Sequence, residues 1–180
     1  MKLGIISDTH DDVDNVRKAI DIFNQENVQY VIHAGDYVFP GIVMEFRRLH
    51  AKLIGVLGNN DGERGQLLKA FLEVGGVLEG EIGELSMDGL KIGIYHGTLT
   101  EIKKQLAESG RYNILVCGHT HRVEPSRLAG EGIPVTGDST LVLNPGTSHR
   151  KVDSIAGAFV EGGLIILNTE SDTCKFISLP

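Results

Sequence analysis

An α/β fold with an antiparallel tail is expected from three features of the sequence. Residues 1–75 alternate β-α-β-α-β-α, most later segments are short strands, and polar side chains of metal-ligating type close five of the strands. The alternation is the pattern of a parallel sheet with crossover helices. Two mixed sheets packed face to face, with helices outside, bury all of these strands in one core. Residues 1–180 are therefore read as a single domain.

The opening strand, Lys2-Leu3-Gly4-Ile5-Ile6, is apolar and runs out into Ser7-Asp8-Thr9-His10. Asp11 and Asp12 then precede Val13, Val16, Ala19, Ile20 and Phe23. That spacing is helical, and the carboxylates sit at its favourable N-terminal end. A second strand, Tyr30-Val31-Ile32-His33-Ala34, ends at Gly35-Asp36. Pro40 opens a helix carrying Ile42, Val43, Phe46 and Leu49. Leu53-Ile54-Gly55-Val56-Leu57 is the third strand, closed by Gly58-Asn59-Asn60-Asp61-Gly62, and Leu67, Leu68, Phe71 and Leu72 mark the next helix.

The pattern then changes. Asp88-Gly89, between strands at Glu84–Met87 and Lys91–Tyr95, is a two-residue hairpin signal. The second of these strands ends at His96-Gly97. A helix over Thr100–Glu108 leads into Ile114-Leu115-Val116-Cys117, which ends at Gly118-His119-Thr120-His121. Short strands are expected at Ser126–Leu128, Thr140–Leu143, Ala156–Val160, Leu164–Leu167 and Lys175–Leu179, with Gly162-Gly163 as a hairpin joint. The loop at Gly130-Glu131-Gly132 is expected to shape access to the strand ends.

A formal net charge of -7 argues against a protein that grips nucleic-acid backbones by bulk electrostatics. A small phosphorylated ligand is compatible with it, because bound cations reverse the local field. Cys117 and Cys174 make no disulfide framework, and Cys117 lies in an apolar run as a small hydrophobe. No apolar run approaches the length of a membrane span and no leader precedes Lys2, so a reduced, cytoplasmic setting is expected.

The strand ends carry the chemistry: Asp8 with His10, Asp36, Asn59, His96, and His119 with His121. In extended backbone, side chains two apart point the same way. Asp8/His10 and His119/His121 are each expected to aim at one point on that ground. In a mostly parallel sheet these ends line one edge, where open α/β sheets keep their ligands. Two carboxylates, one amide and four imidazoles exceed the needs of one zinc ion and suit two divalent metals. Each residue alone has a plainer explanation, as a cap, a turn former or a loop histidine. Agreement at five strand ends is what argues against chance.

Taken in order, Asp8-x-His10, Gly35-Asp36, Gly58-Asn59-Asn60-Asp61, His96 and Gly118-His119-Thr120-His121 resemble the motifs of the calcineurin-like metallophosphoesterases. The nearest likeness is to the small single-domain bacterial and archaeal phosphodiesterases. It spans residues 1 to about 150, and Asn144-Pro145-Gly146 is similar to a recurring loop of the small members. The resemblance implies a four-layer α/β/β/α sandwich. It implies one metal held by Asp8, His10, Asp36 and His121, and another held by Asp36, Asn59, His96 and His119, with Asp36 shared. The expected cofactors are two divalent ions, manganese first, with nickel, iron and zinc also suiting the donors. The expected reaction is phosphodiester hydrolysis by a hydroxide that bridges the metals.

Much of that superfamily has a histidine where this chain has Asn60, and the histidine contacts phosphate and serves the leaving group. An asparagine amide donates a hydrogen bond but delivers no proton at pH 7. Asn60 is thus the candidate catalytic and substrate-binding residue, suited to esters with good leaving groups. Asp61 is read either as orienting an imidazole or as capping the helix after Gly62. His33 lies inside a strand, out of phase with Asp36, and reads as structural. His149 stands between a residue of the pocket rim and one of a surface loop. The partner expected is a small phosphodiester, with no membrane and with self-association through the β-rich end as an option. Two other functions remain open: a phosphomonoesterase with the same site, and an interaction scaffold like the retromer subunit of this fold, which has lost part of the constellation.

Overall fold

The computed structural model describes residues 1–129, 133–149 and 162–179. β1 (Lys2–Ile6), β2 (Tyr30–His33), β3 (Lys52–Gly55) and β4 (Val77–Leu78) run parallel to one another. Between them lie α1 (Val13–Gln25), α2 (Pro40–Glu45, continued by a 3-10 turn at Phe46–Arg48) and α3 (Arg64–Glu73), as the alternation predicts. Asp12 caps α1 by accepting a hydrogen bond from the Asn15 N–H at 3.0 Å. β5 (Ile82–Met87) and β6 (Leu90–Tyr95) form the expected hairpin. Its turn residues Asp88 and Gly89 have φ of 48° and 77°, the left-handed pair that a two-residue turn requires. α4 (Thr100–Glu108) then leads to β7 (Ile114–Val116), which is parallel to β6. The remaining strands are β8 (Val123–Glu124), β9 (Ile133–Pro134), β10 (Leu141–Pro145), β11 (Gly162–Asn168) and β12 (Thr173–Leu179).

These strands sort into two mixed sheets, ordered β4-β3-β2-β1-β11-β12-β9 and β5-β6-β7-β10-β8. Burial sets the layers. Leu3, Ile5, Ile32 and Ile54 of the first sheet meet Ile92, Ile94, Ile114 and Val116 of the second. The alternate residues of the first sheet, Ile6, Val31, Leu53, Leu164 and Ile166, face Val16, Ile20 and Phe23 of α1 and Leu67 and Phe71 of α3. On the far side, Leu115 and Cys117 face Ile102 and Leu106 of α4. The order is helix, sheet, sheet, helix: a four-layer α/β/β/α sandwich. Strands covered on both faces read as continuous apolar runs, which is why β1 to β3 stand out in the sequence. Burying a side chain such as Phe23 contributes about 2–3 kcal/mol. Burial also pushes the Cys117 thiol up to about 12, so this cysteine is a packing group and not a nucleophile. No helix among the described residues is long and apolar enough to cross a membrane.

The tail departs from expectation in two places. Ser126–Leu128 is part of a 3-10 turn over Ser126–Ala129 and not a strand, closed by the Leu128 N–H donating to the Pro125 carbonyl at 2.8 Å. Gly162 and Gly163 are not a hairpin joint. They lie inside β11, opposite Leu179 and Ser178. Gly163 serves packing: the Phe176 ring lies where a side chain at 163 would stand. The two-residue strands β4, β8 and β9 have no periodicity to announce them. The expected strand at Ala156–Val160 and the loop at Gly130-Glu131-Gly132 lie outside the described residues.

Candidate metal centre

The seven candidate ligands follow β1, β2 and β3 of one sheet and β6 and β7 of the other. They come from two facing sheets and not from the edge of one. Asp8, His10 and His121 form one group, and Asp8, Asp36 and His96 a second, with the ligand atoms of each group within 4.8 Å of one another. His121 Nε2 lies 3.2 Å from Asp8 Oδ1 and 3.4 Å from His10 Nε2. His96 Nε2 lies 3.3 Å from Asp36 Oδ2, 3.1 Å from Asn59 Oδ1 and 4.0 Å from Asp8 Oδ1. The His119 ring stands edge-on to His96 with centroids 5.3 Å apart. The fold thus brings all seven into one cluster.

Extended backbone is not what aims them. Asp8, His10, Asp36, His119 and His121 have φ of 51°, 46°, 61°, 70° and 56°, all in the left-handed region. Asp and His enter that region more readily than most residues, yet each such turn costs of order 1–3 kcal/mol and persists only where its surroundings enforce it. The two pairs also behave differently. Asp8 and His10 converge, whereas His121 joins Asp8 and His10 while His119 turns toward His96.

The donor set fits a cation. His96 Nδ1 donates to the Ala34 carbonyl at 2.7 Å, because a carbonyl can only accept. In the neutral ring Nε2 then carries a lone pair, and it faces the oxygens of Asp36, Asn59 and Asp8. Acceptors facing acceptors repel unless a proton or a metal ion stands between them. A ligating histidine commonly has its other ring N–H fixed by a backbone carbonyl in this way. The protonation preferences agree. Burial opposes charge on His96, but Asp36 and Asp8 outweigh it and raise its pKa. Burial would push the Asp36 carboxyl up, yet His96 and two donors from Asn60 hold it below the usual carboxylate range. Burial and the neighbouring His96 lower His119.

Other residues brace the loops. Asp61 neither orients an imidazole nor caps α3. Its buried carboxylate accepts four backbone N–H groups: Asp36 at 2.9 Å and Gly58 at 2.7 Å on Oδ2, Tyr37 at 2.8 Å and Val38 at 2.9 Å on Oδ1. It ties the loop after β2 to the loop after β3. Asn144 does the same at β7, donating to the Gly118 carbonyl at 2.7 Å and to Thr120 Oγ1 at 3.1 Å. Gly58 and Gly118 admit Asp36 and Asp8 to close approach; a Cβ at either would collide with the carboxylate. His149 lies at the rim, its ring 5.5 Å from that of His10 and its Nδ1 3.7 Å from Asp11 Oδ1.

His33 is structural, and it acts on two ligand loops at once. The Gly35 N–H donates to its Nδ1 at 3.2 Å, which leaves the ring proton on Nε2, 3.0 Å from Thr9 Oγ1. Burial lowers its pKa to about 3. A histidine that stays neutral when folded and titrates near 6.5 when unfolded favours unfolding as pH falls below 6.5, at up to about 1.4 kcal/mol per unit, until about 3. Urea unfolding of the metal-free protein at pH 7 and pH 5 is the measurement. His33→Asn is expected to lose less stability across that interval than the parent chain; equal losses would mean that His33 does not fold neutral.

The fold and the cluster have known counterparts. The profile of the calcineurin-like phosphoesterase superfamily domain matches residues 1–169. A phosphodiesterase of Methanocaldococcus jannaschii is 40% identical over 148 residues, covering 81% of this chain and 83% of the relative. A solved structure described as a novel archaeal phosphodiesterase superposes with a TM-score of 0.81 at 35% identity, covering 99% of this chain and all of the other. The Vps29 protein of Entamoeba histolytica, as a single mutant, superposes with a TM-score of 0.63 at 20% identity over the full length of both chains; this likeness concerns the fold alone.

Proposed function

The chain belongs to the calcineurin-like phosphoesterase superfamily, and on that premise we propose that it hydrolyses phosphodiesters at a site holding two divalent cations. As a member of that family and a relative of a named phosphodiesterase, it is a phosphoric ester hydrolase. The observation that carries the finer reading is His96 Nε2, set among the oxygens of Asp8, Asp36 and Asn59. In this reading Asp8, His10, Asp36 and His121 would hold one cation, and Asp36, Asn59, His96 and His119 would hold the other. Paired cations, manganese first among the candidates, would make water a nucleophile at neutral pH and would neutralise charge building on the phosphoryl oxygens.

The chain's own residues do the rest. Asp61, His33 and Asn144 hold the loops in their left-handed turns, so the carboxylates and imidazoles need no rearrangement when substrate arrives. Asn60 donates its N–H to Asp36 Oδ1 at 2.9 Å and its Nδ2 to Asp36 Oδ2 at 2.7 Å. An amide nitrogen carries two hydrogens, so a second remains for a phosphate oxygen. Asn60 has no proton to give the leaving alkoxide. Asn60→His is therefore expected to speed hydrolysis of an unactivated dialkyl diester by about tenfold or more while changing an aryl diester little. Equal rates of the two proteins on the dialkyl diester would remove the leaving-group argument.

The test of the whole reading is a metal titration. Protein stripped of metal is given manganese and assayed on an aryl phosphodiester, with the matching monoester alongside. Activity is expected to saturate near two ions per chain and to favour the diester. Folded protein that turns over neither ester with manganese, nickel or zinc would make the scaffold reading the better one.

A further inference from the structure

Six large apolar side chains are exposed among the described residues: Val38, Phe39, Leu68, Leu72, Ile82 and Leu99. Three of the six follow proposed ligands. Val38 and Phe39 come two and three residues after Asp36, and Leu99 comes three after His96. Successive Cα atoms are about 3.8 Å apart, so the Val38 Cα lies within about 7.6 Å of that of Asp36, and Phe39 and Leu99 lie within about 11.4 Å of their ligands. The two loops meet where His96 Nδ1 donates to the Ala34 carbonyl. Chain connectivity thus keeps three exposed apolar residues near the Asp36–His96 side of the site, whereas Asp11 and His149 stand by His10.

Val38 is held in place against its own preferences. Its φ is 71°, a conformation that β-branched residues rarely adopt, and the residue is 37% exposed. The Val38 N–H, donated to Asp61 Oδ1, keeps the backbone there. Strain of this kind gathers at ligand clamps. The Phe39 ring is placed by a different device: it lies over Gly41, where any side chain would collide with it.

We propose that Val38 and Phe39, with Leu99, form an apolar lip that seats a flat aromatic substituent of the phosphate ester, an aryl group or a nucleobase. The proposal rests on the phosphodiesterase reading and deepens it by naming the substituent. A phenyl face stacks on an aromatic ring and removes apolar surface of both from water. A methyl group in the same place removes little.

Calorimetry of the manganese-loaded protein with phenylphosphonate and methylphosphonate reads this directly, with turnover of methyl p-nitrophenyl phosphate measured in parallel. The parent chain is expected to bind phenylphosphonate about tenfold more tightly than methylphosphonate. Phe39→Ala and Gly41→Ala, the second displacing the ring without deleting it, are expected to cut that ratio about fivefold. Val38→Gly is expected to lower the ratio without lowering the melting temperature, because glycine adopts φ of 71° without strain. Leu72→Ala, on the exposed face of α3, is expected to leave the ratio alone. A ratio near one in the parent chain, or one unmoved by the lip variants, overturns the proposal. So does a Phe39→Ala protein whose sedimentation changes while its ratio does not, since the lip would then cover a second copy. Preferential phenylphosphonate binding without ester turnover sinks the phosphodiesterase reading and leaves the lip standing; turnover with a flat ratio does the reverse.

Discussion

Asp36→Asn is expected to lower aryl phosphodiester turnover by more than about a hundredfold while leaving the metal-free protein at least as heat-stable as before. The two effects have one cause. The ligand oxygens of Asp8 and Asp36 lie within 4.8 Å of each other in a buried place. At an effective dielectric near 20, two charges at that distance repel by about 3 kcal/mol. Asparagine removes one charge and turns an N–H toward the lone pair of His96 Nε2, now 3.3 Å from Asp36 Oδ2; the cost is the hydrogen bond that Asn60 Nδ2 donates to that oxygen at 2.7 Å, and it is smaller than the relief because the exposed Asn60 amide turns to water instead. What it loses is the carboxylate proposed to be shared between two cations. Scanning fluorimetry with and without manganese checks both halves. Metal that binds only the folded state should raise the midpoint of the parent chain and fail to raise that of the variant. A variant with parental turnover, or with a parental shift on adding manganese, would remove Asp36 from the site.

The opposite sign is expected one loop away. Asp61→Asn is expected to cost about 3–5 kcal/mol in urea unfolding, a large part of the stability of a domain this size. Asp61 faces four backbone N–H donors and no acceptor. An asparagine carbonyl serves two of them. The other two are left facing an amide N–H in a buried place, at about 1–3 kcal/mol each. Because the same donors belong to Asp36, Tyr37 and Val38, the variant's folded fraction should also turn over esters more slowly. A loss below about 1 kcal/mol would show that the loop stands without the carboxylate. Two buried aspartates 25 residues apart thus differ in what they face: Asp61 is surrounded by donors, Asp36 partly by acceptors.

The helices and the longer strands were legible because each is a local pattern. The helix over Thr100–Glu108 and the hairpin at Asp88-Gly89 lie where spacing and turn chemistry place them. So were the residues of the candidate site, since they close apolar runs and stand beside glycines. Gly162-Gly163 misled because a glycine pair that signals a turn also admits an aromatic ring, and Phe176 comes from the neighbouring strand, outside any local pattern. Asp61 and Asn144 were misassigned or passed over for the same reason. Their partners are backbone groups of other loops, and the residue types alone suggest caps and turns. The left-handed turns at Asp8, His10, Asp36, His119 and His121 leave no mark on the side-chain pattern.

The sequence by itself therefore determined the layered α/β architecture, the strand ends that carry ligand-type residues and the apolar periods that bury the rest. These follow from periodicity and residue chemistry, which act over a few neighbours. The tertiary structure decided how the candidate ligands divide between two facing sheets, which imidazole turns toward which carboxylate, and that Val38 and Phe39 stand exposed in the loop after β2. Those outcomes depend on donors and acceptors supplied from 24 to 139 residues away, such as His33 with Thr9 and Thr147 with Asp8. A chain settles them only when its loops are packed against one another, because only then is each buried N–H obliged to find its partner.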